Sequence, residues 1–266
     1  MSDCELPFTR DDYSAFAKDG YSDRRQEGGM VTINGVDYRV LAKADDPSGF
    51  QGIAYRSLDE NKLVISYRGT EAIKPKLWDQ PVKDLGTDYV MVRDQFNRQE
   101  SDADAFTRRV FDLVREKHPN WNLSEHITVT GHSLGGTHAQ MMAARYGLGG
   151  MAYNAYGAVD IGSLVPEGQP ANAPSFINHV RATDVVSAGN RHYGSVVGYA
   201  TEQDIANLQF GGYLDAPNPA HPPNPLLAAS LTAHFVNNFS PDPGGQTVMT
   251  EANEARYRQY QGAIEH

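Results

Sequence analysis

The chain has 266 residues, 33 acidic against 23 basic side chains for a formal net charge of -10, and a hydrophobic share of 40%. A length of this order suits one substantial core, and the acidic balance argues against nucleic acid and against electrostatic docking on an anionic membrane, so any lipid contact must be apolar and local. The single cysteine, Cys4, excludes an internal disulfide, and no run approaches the ~18 apolar residues of a membrane-spanning helix.

In chain order, the start carries Asp3, Glu5, Asp11 and Asp12 and lacks both a basic start and an apolar stretch. It does not read as a Sec signal peptide, so secretion is expected by a non-Sec route, with a cytoplasmic location as the alternative. Residues 31–33 and 36–41 flank Asn34-Gly35 and predict a β-hairpin with a type I′ turn. Residues 52–57 and 63–67 predict two further strands, after which parallel character begins. Ser101 followed by Asp104 resembles a capping box, and Phe106, Val110, Leu113 and Val114 recur at helical spacing until Pro119.

A β-rich stretch, 127–130, then runs into Gly131-His132-Ser133-Leu134-Gly135-Gly136, and a small-residue helix is expected over 134–146. Strands are expected at 151–156 and 176–182. Between 208 and 225, Pro217, Pro219, Pro222, Pro223 and Pro225 read as an irregular surface excursion, and 228–239 as a short helix. The alternation of strands and helices predicts one α/β domain over 1–266: a mostly parallel sheet flanked by helices, with an N-terminal antiparallel hairpin. No internal repeat is visible.

Gly131, Ser133 and Gly135 form the Gly-x-Ser-x-Gly pattern of a nucleophile elbow, the sharp strand-to-helix turn of an α/β-hydrolase that lifts a serine hydroxyl clear of the sheet. The amide of Leu134 then lies at a helix N-terminus, placed to donate to an oxyanion. Serine needs a histidine base and a carboxylate to orient it, in the chain order serine, acid, histidine. Asp184 follows an expected strand and so lies at the carboxyl edge of the sheet, where such folds gather ligands; Asp160 is its competitor. His234 follows the irregular excursion, with His192 and His221 as alternatives. His132 and His138 flank the serine but read as packing or solvent-facing residues, because a neighbour in the elbow points away and His138 lies a full turn into the helix. Thr70, closing Tyr67-Arg68-Gly69-Thr70, offers an amide and a hydroxyl to an oxyanion, or is a plain strand-end turn.

Tyr67 to Thr70, the Asp84-Leu85 pair, Gly131 to Gly136, Asp184 and His234 together resemble the class 3 lipases over residues 63–240. The resemblance implies an α/β-hydrolase fold, a triad of Ser133, Asp184 and His234, and an oxyanion hole built with Thr70. It also implies a lid over 71–82, where Ile73, Leu77, Trp78 and Val82 lie among charged residues, opening at a lipid interface. A surface loop with one buried tryptophan is the plainer alternative. The expected reaction is hydrolysis of lipid carboxylic esters, as a lipase or phospholipase A, with no metal or organic cofactor. A soluble-ester esterase and an inactive binding module on the same fold are the alternatives. Without a signal peptide or disulfides, the chain looks more like bacterial antibacterial lipase effectors than secreted fungal members, which implies delivery into rival cells and an immunity protein as partner. Continuation of the native chain past His266 is left open.

Overall fold

The computed structural model describes residues 6–58, 61–69, 85–161, 165–215 and 218–264, with backbone alone for 85–97 and 263. Among them, eight strands form one sheet whose spatial order is the chain order. They are β1 (Met30–Ile33), β2 (Val36–Asp45), β3 (Gln51–Ser57), β4 (Leu63–Tyr67), β5 (Ile127–His132), β6 (Gly149–Tyr153), β7 (Phe176–Arg181) and β8 (Ser195–Tyr199). Strands β1 to β4 pair antiparallel, and β4 to β8 pair parallel. Asn34 at φ 49° and Gly35 at φ 80° supply the two left-handed residues that the hairpin turn demands.

The helices are α1 (Arg10–Asp19), α2 (Leu85–Lys117), α3 (Leu123–His126), α4 (Leu134–Tyr146), α5 (Glu202–Phe210), α6 (Pro225–Ala228) and α7 (Glu251–Ile264). Strands β4, β5 and β6 step across the sheet in one direction, so right-handed crossovers deliver α2 and α4 to the same face. There Phe106, Val110, Met141 and Met142 pack on Leu63, Ile65 and Tyr67. Val64, pointing the other way along β4, belongs to a second core with Tyr13, Phe16, Tyr38, Tyr55, Tyr153, Tyr199, Phe239 and Met249. Among the described residues, no crossover helix between the parallel strands covers that face. Helix α1 lies over β4, β5 and β6, and α7 packs against β8.

Three expectations are corrected. Helix α2 runs straight through Ser101, which is exposed, and Asp104 caps nothing: it pairs with Arg108 and with Arg145 of α4, contacts that favour a continuous helix. The helix expected over 228–239 is instead α6 and two 3-10 turns, Leu231–His234 and Val236–Phe239. Extended backbone at Ala229, Ser230 and Phe235 interrupts it, at ψ 140°, 113° and 134°. The proline-rich excursion is not wholly irregular, since α5 extends to Phe210 and Pro225 opens α6 at its first position, where Asn224 caps Leu226.

Candidate active site

The turn between β5 and α4 puts Ser133 at φ 58° and ψ -130°, a conformation that side chains other than glycine rarely adopt. Two glycines make the turn sterically feasible. A Cβ on Gly131 would collide with the backbone of Gly135, and one on Gly135 would collide with the Tyr67 carbonyl of β4. Ser133 also donates its N–H to the Tyr153 carbonyl at 3.1 Å, tying the turn to β6. Leu134 is the first residue of α4, so its amide is among those without an intrahelical partner.

Asp184 lies just beyond β7, and its buried carboxylate accepts from the amides of Ser187 at 3.1 Å and Val186 at 3.3 Å. The approach to it is fixed by Arg181, the last residue of β7, whose Nε donates to the buried Asp204 at 2.9 Å. His234 closes the Leu231–His234 turn. Its Nδ1 donates to Asp184 Oδ1 at 2.9 Å, and its Nε2 accepts from Ser133 Oγ at 2.9 Å. Burial opposes the charge of Asp184, but His234 and the Ser187 amide outweigh it and hold the carboxyl below its ordinary range.

The structure thus brings Ser133, Asp184 and His234 together, and leaves the alternatives elsewhere. Asp160 is exposed and paired with Arg191, His221 is exposed, and His192 donates from Nε2 to the Ser187 carbonyl at 2.9 Å rather than reaching Ser133. His138 is fully buried against Phe50 and Tyr67, with Nε2 facing Gln99 Oε1 at 3.2 Å. The reading of His132 as turned away needs correction: its ring centroid lies 4.8 Å from that of His234. Thr70, Asp84 and the lid residues Ile73, Leu77, Trp78 and Val82 lie outside the described residues. Sequence reasoning missed Tyr21, whose hydroxyl reaches His132, and Asn154, whose side chain joins the Ala233 carbonyl to the Arg181 amide, contacts that no spacing announces. Among the described residues, no group of three His, Cys, Asp or Glu side chains is placed to hold a metal ion.

A serine in a strained strand-to-helix turn on the parallel part of the sheet, with an acid and a histidine from later strand and loop ends, is the geometry of a nucleophile elbow on an α/β fold. The structure is similar to the Rhizomucor miehei lipase propeptide complex (16% identity over 72% of this chain and 67% of that one, TM-score 0.45). It is also similar to a triacylglycerol lipase from Penicillium expansum (18% identity, 71% and 77%, TM-score 0.44) and to lipase II from Rhizopus niveus (17% identity, 72% and 77%, TM-score 0.43). No protein-family model matches the chain, and no curated protein matches it.

Proposed function

We propose that the chain is a serine carboxylic-ester hydrolase acting on lipid esters, with Ser133 as nucleophile, His234 as base and Asp184 as the group that orients it. The carrying observation is the unbroken buried line of hydrogen bonds from Ser133 Oγ through both ring nitrogens of His234 to Asp184, at 2.9 Å each. His234 takes the hydroxyl proton as Ser133 attacks the acyl carbonyl, and the Leu134 amide, with Thr70, binds the oxyanion. His234 then gives that proton to the leaving alcohol. Water attacks the acyl-serine, returns a proton through His234, and releases the fatty acid.

A lipid substrate is supported by the surroundings of His234. No Asp, Glu, Lys or Arg occurs between Asp215 and Asp242. Within this charge-free stretch Leu226, Leu227, Leu231 and Phe235 are exposed. Uncharged apolar surface beside a base suits an ester presented in a lipid phase. A fluorophosphonate tests the nucleophile: labelling of wild type but not of Ser133→Ala is expected, and an unlabelled wild type would favour an inactive binding module. A rise in rate above the solubility limit of a short-chain ester is expected for a lipase, whereas a soluble-ester esterase saturates below it.

The motif resemblance adds a further proposal, that the chain leaves its producer by a non-Sec route, attacks the membrane lipids of a rival cell, and is held in check by an immunity protein. Directing the wild type and Ser133→Ala to the periplasm of a bacterial host tests it. Growth arrest by the wild type alone is the expected outcome.

A further inference from the structure

His132 is buried and takes no part in the line from Ser133 to Asp184, yet it lies against His234. Its Nε2 faces the His234 carbonyl oxygen at 2.5 Å, and because a carbonyl only accepts, Nε2 carries the proton. Nδ1 is then a bare lone pair, and it accepts from the Tyr21 hydroxyl at 2.8 Å. Burial first, then the field of His234, push the His132 ring down to about 3, so it stays neutral where His234 is needed as a base.

The preceding carbonyl is held in the same way. Asn154, buried just past β6 with φ 42°, donates to the Ala233 oxygen at 2.7 Å while its own oxygen accepts from the Arg181 amide at 2.9 Å. Both carbonyls belong to a 3-10 turn that Phe235 ends in extended backbone, so no following helical turn supplies amides to them. Side chains supply the donors instead: His132 and Asn154 from the ends of two strands, and Asn238 of the next 3-10 turn, whose Nδ2 also donates to the Ala233 oxygen at 2.9 Å.

We infer that His132, oriented by Tyr21, and Asn154 are positioning residues that clamp the carbonyls of His234 and Ala233 to the ends of β5 and β6. They thereby set the reach of His234 Nε2 to the Ser133 hydroxyl. A clamp through the backbone leaves both ring nitrogens free for Asp184 and Ser133, and it comes partly from the residue next to the nucleophile, so base and nucleophile move as one body. The inference rests on the proposed roles of Ser133 and His234.

The test measures kcat and KM on p-nitrophenyl butyrate, fluorophosphonate labelling rate and thermal melting for the wild type, His132→Phe, His132→Gln, Tyr21→Phe and Asn154→Asp. His132→Phe is expected to lower kcat by ~10²-fold with KM nearly unchanged and labelling slowed in parallel, the scale of a displaced catalytic group. His132→Gln keeps a donor at the Nε2 position and is expected to recover about tenfold of that loss. Tyr21→Phe and Asn154→Asp are expected to lower kcat by about three- to tenfold, each losing one hydrogen bond. Wild-type kcat in His132→Phe overturns the inference, as do equal losses in the Phe and Gln variants. Should His132→Phe fail to fold, Tyr21→Phe decides, and an unchanged kcat there overturns the clamp. A wild type that does not label overturns the hydrolase reading itself, which separates the two failures.

Discussion

Ser133 holds a strained backbone because its neighbours leave the turn no alternative, and the cost of relaxing those neighbours can be read from the contacts. At Gly135 an added methyl meets the Tyr67 carbonyl, backbone that moves only with β4. Gly135→Ala is therefore expected to destabilise by roughly 2–3 kcal/mol, the scale of overpacking a tight site. Urea unfolding checks this, and a midpoint within error of wild type would show that the turn adapts. On the proposed role of Ser133, its loss is expected to be purely chemical: Ser133→Ala should melt like the wild type while ester hydrolysis falls by at least ~10⁴-fold. Asp184→Asn is expected to cost about 10²- to 10⁴-fold in kcat, because an amide leaves the imidazole without its tautomer partner. The residues of this line were legible from the sequence, since an elbow requires glycines at fixed offsets and the carboxyl edges of parallel strands narrow the choice of acid. Tyr21, His132 and Asn154 were not legible in their roles. Their partners are backbone carbonyls, and a carbonyl looks the same at every position of a sequence.

At the scale of elements, β7 and α5 carry the acid. Asp204 is wholly buried, accepts from Arg181 at 2.9 Å and from Thr201 at 2.8 Å, and closes the capping box that starts α5. Asp204→Ala would strand the Arg181 guanidinium in a largely buried place, and a loss of about 3–5 kcal/mol is expected. Chemical denaturation checks it. A smaller loss would mean that water reaches Arg181. The same motif, a threonine followed three residues later by aspartate, starts α1 at Thr9 and Asp12. With Tyr13, Phe16 and Ala17 at helical spacing it was present in the sequence, but the acidic character of the segment drew the reading toward a terminus and away from a helix. Strand β8 escaped for the opposite reason: Ser195 and Val196 are exposed at the sheet edge, so its pattern lacks the continuous apolar run of a buried parallel strand. The capping box expected at Ser101 failed because tertiary pairing of Asp104 with Arg145 outweighs a local cap inside an already propagating helix.

Among the described residues, the histidines that burial lowers furthest dominate the response to acid. His132, His138 and His179 are each pushed to about 3, with burial the largest cause. Unfolded, they titrate near ~6.5. Between these values the unfolded chain binds more protons than the folded one, so stability rises with pH and is lost as pH falls from about 6.5 toward 3. Three such groups give a slope of up to about 4 kcal/mol per pH unit. Asp184, held low, withdraws its own contribution only further down, below the unfolded carboxyl value. Urea midpoints measured between pH 7 and 4 are expected to fall throughout, and a flat profile would contradict the burial of these rings.

The one-directional strand order has a consequence for biosynthesis. The face away from the crossovers is sealed by Phe239 and Met249, and the imidazole that would activate Ser133 arrives at position 234. A nascent chain halted before this point would already carry its elbow, but with an unactivated hydroxyl and an aromatic surface still open. Any hydrolytic competence and closure of the second core are therefore acquired together, once residues 234 to 249 have been made, so a product terminated before them would lack both the imidazole and the cover of that core and would be a ready substrate for proteolysis.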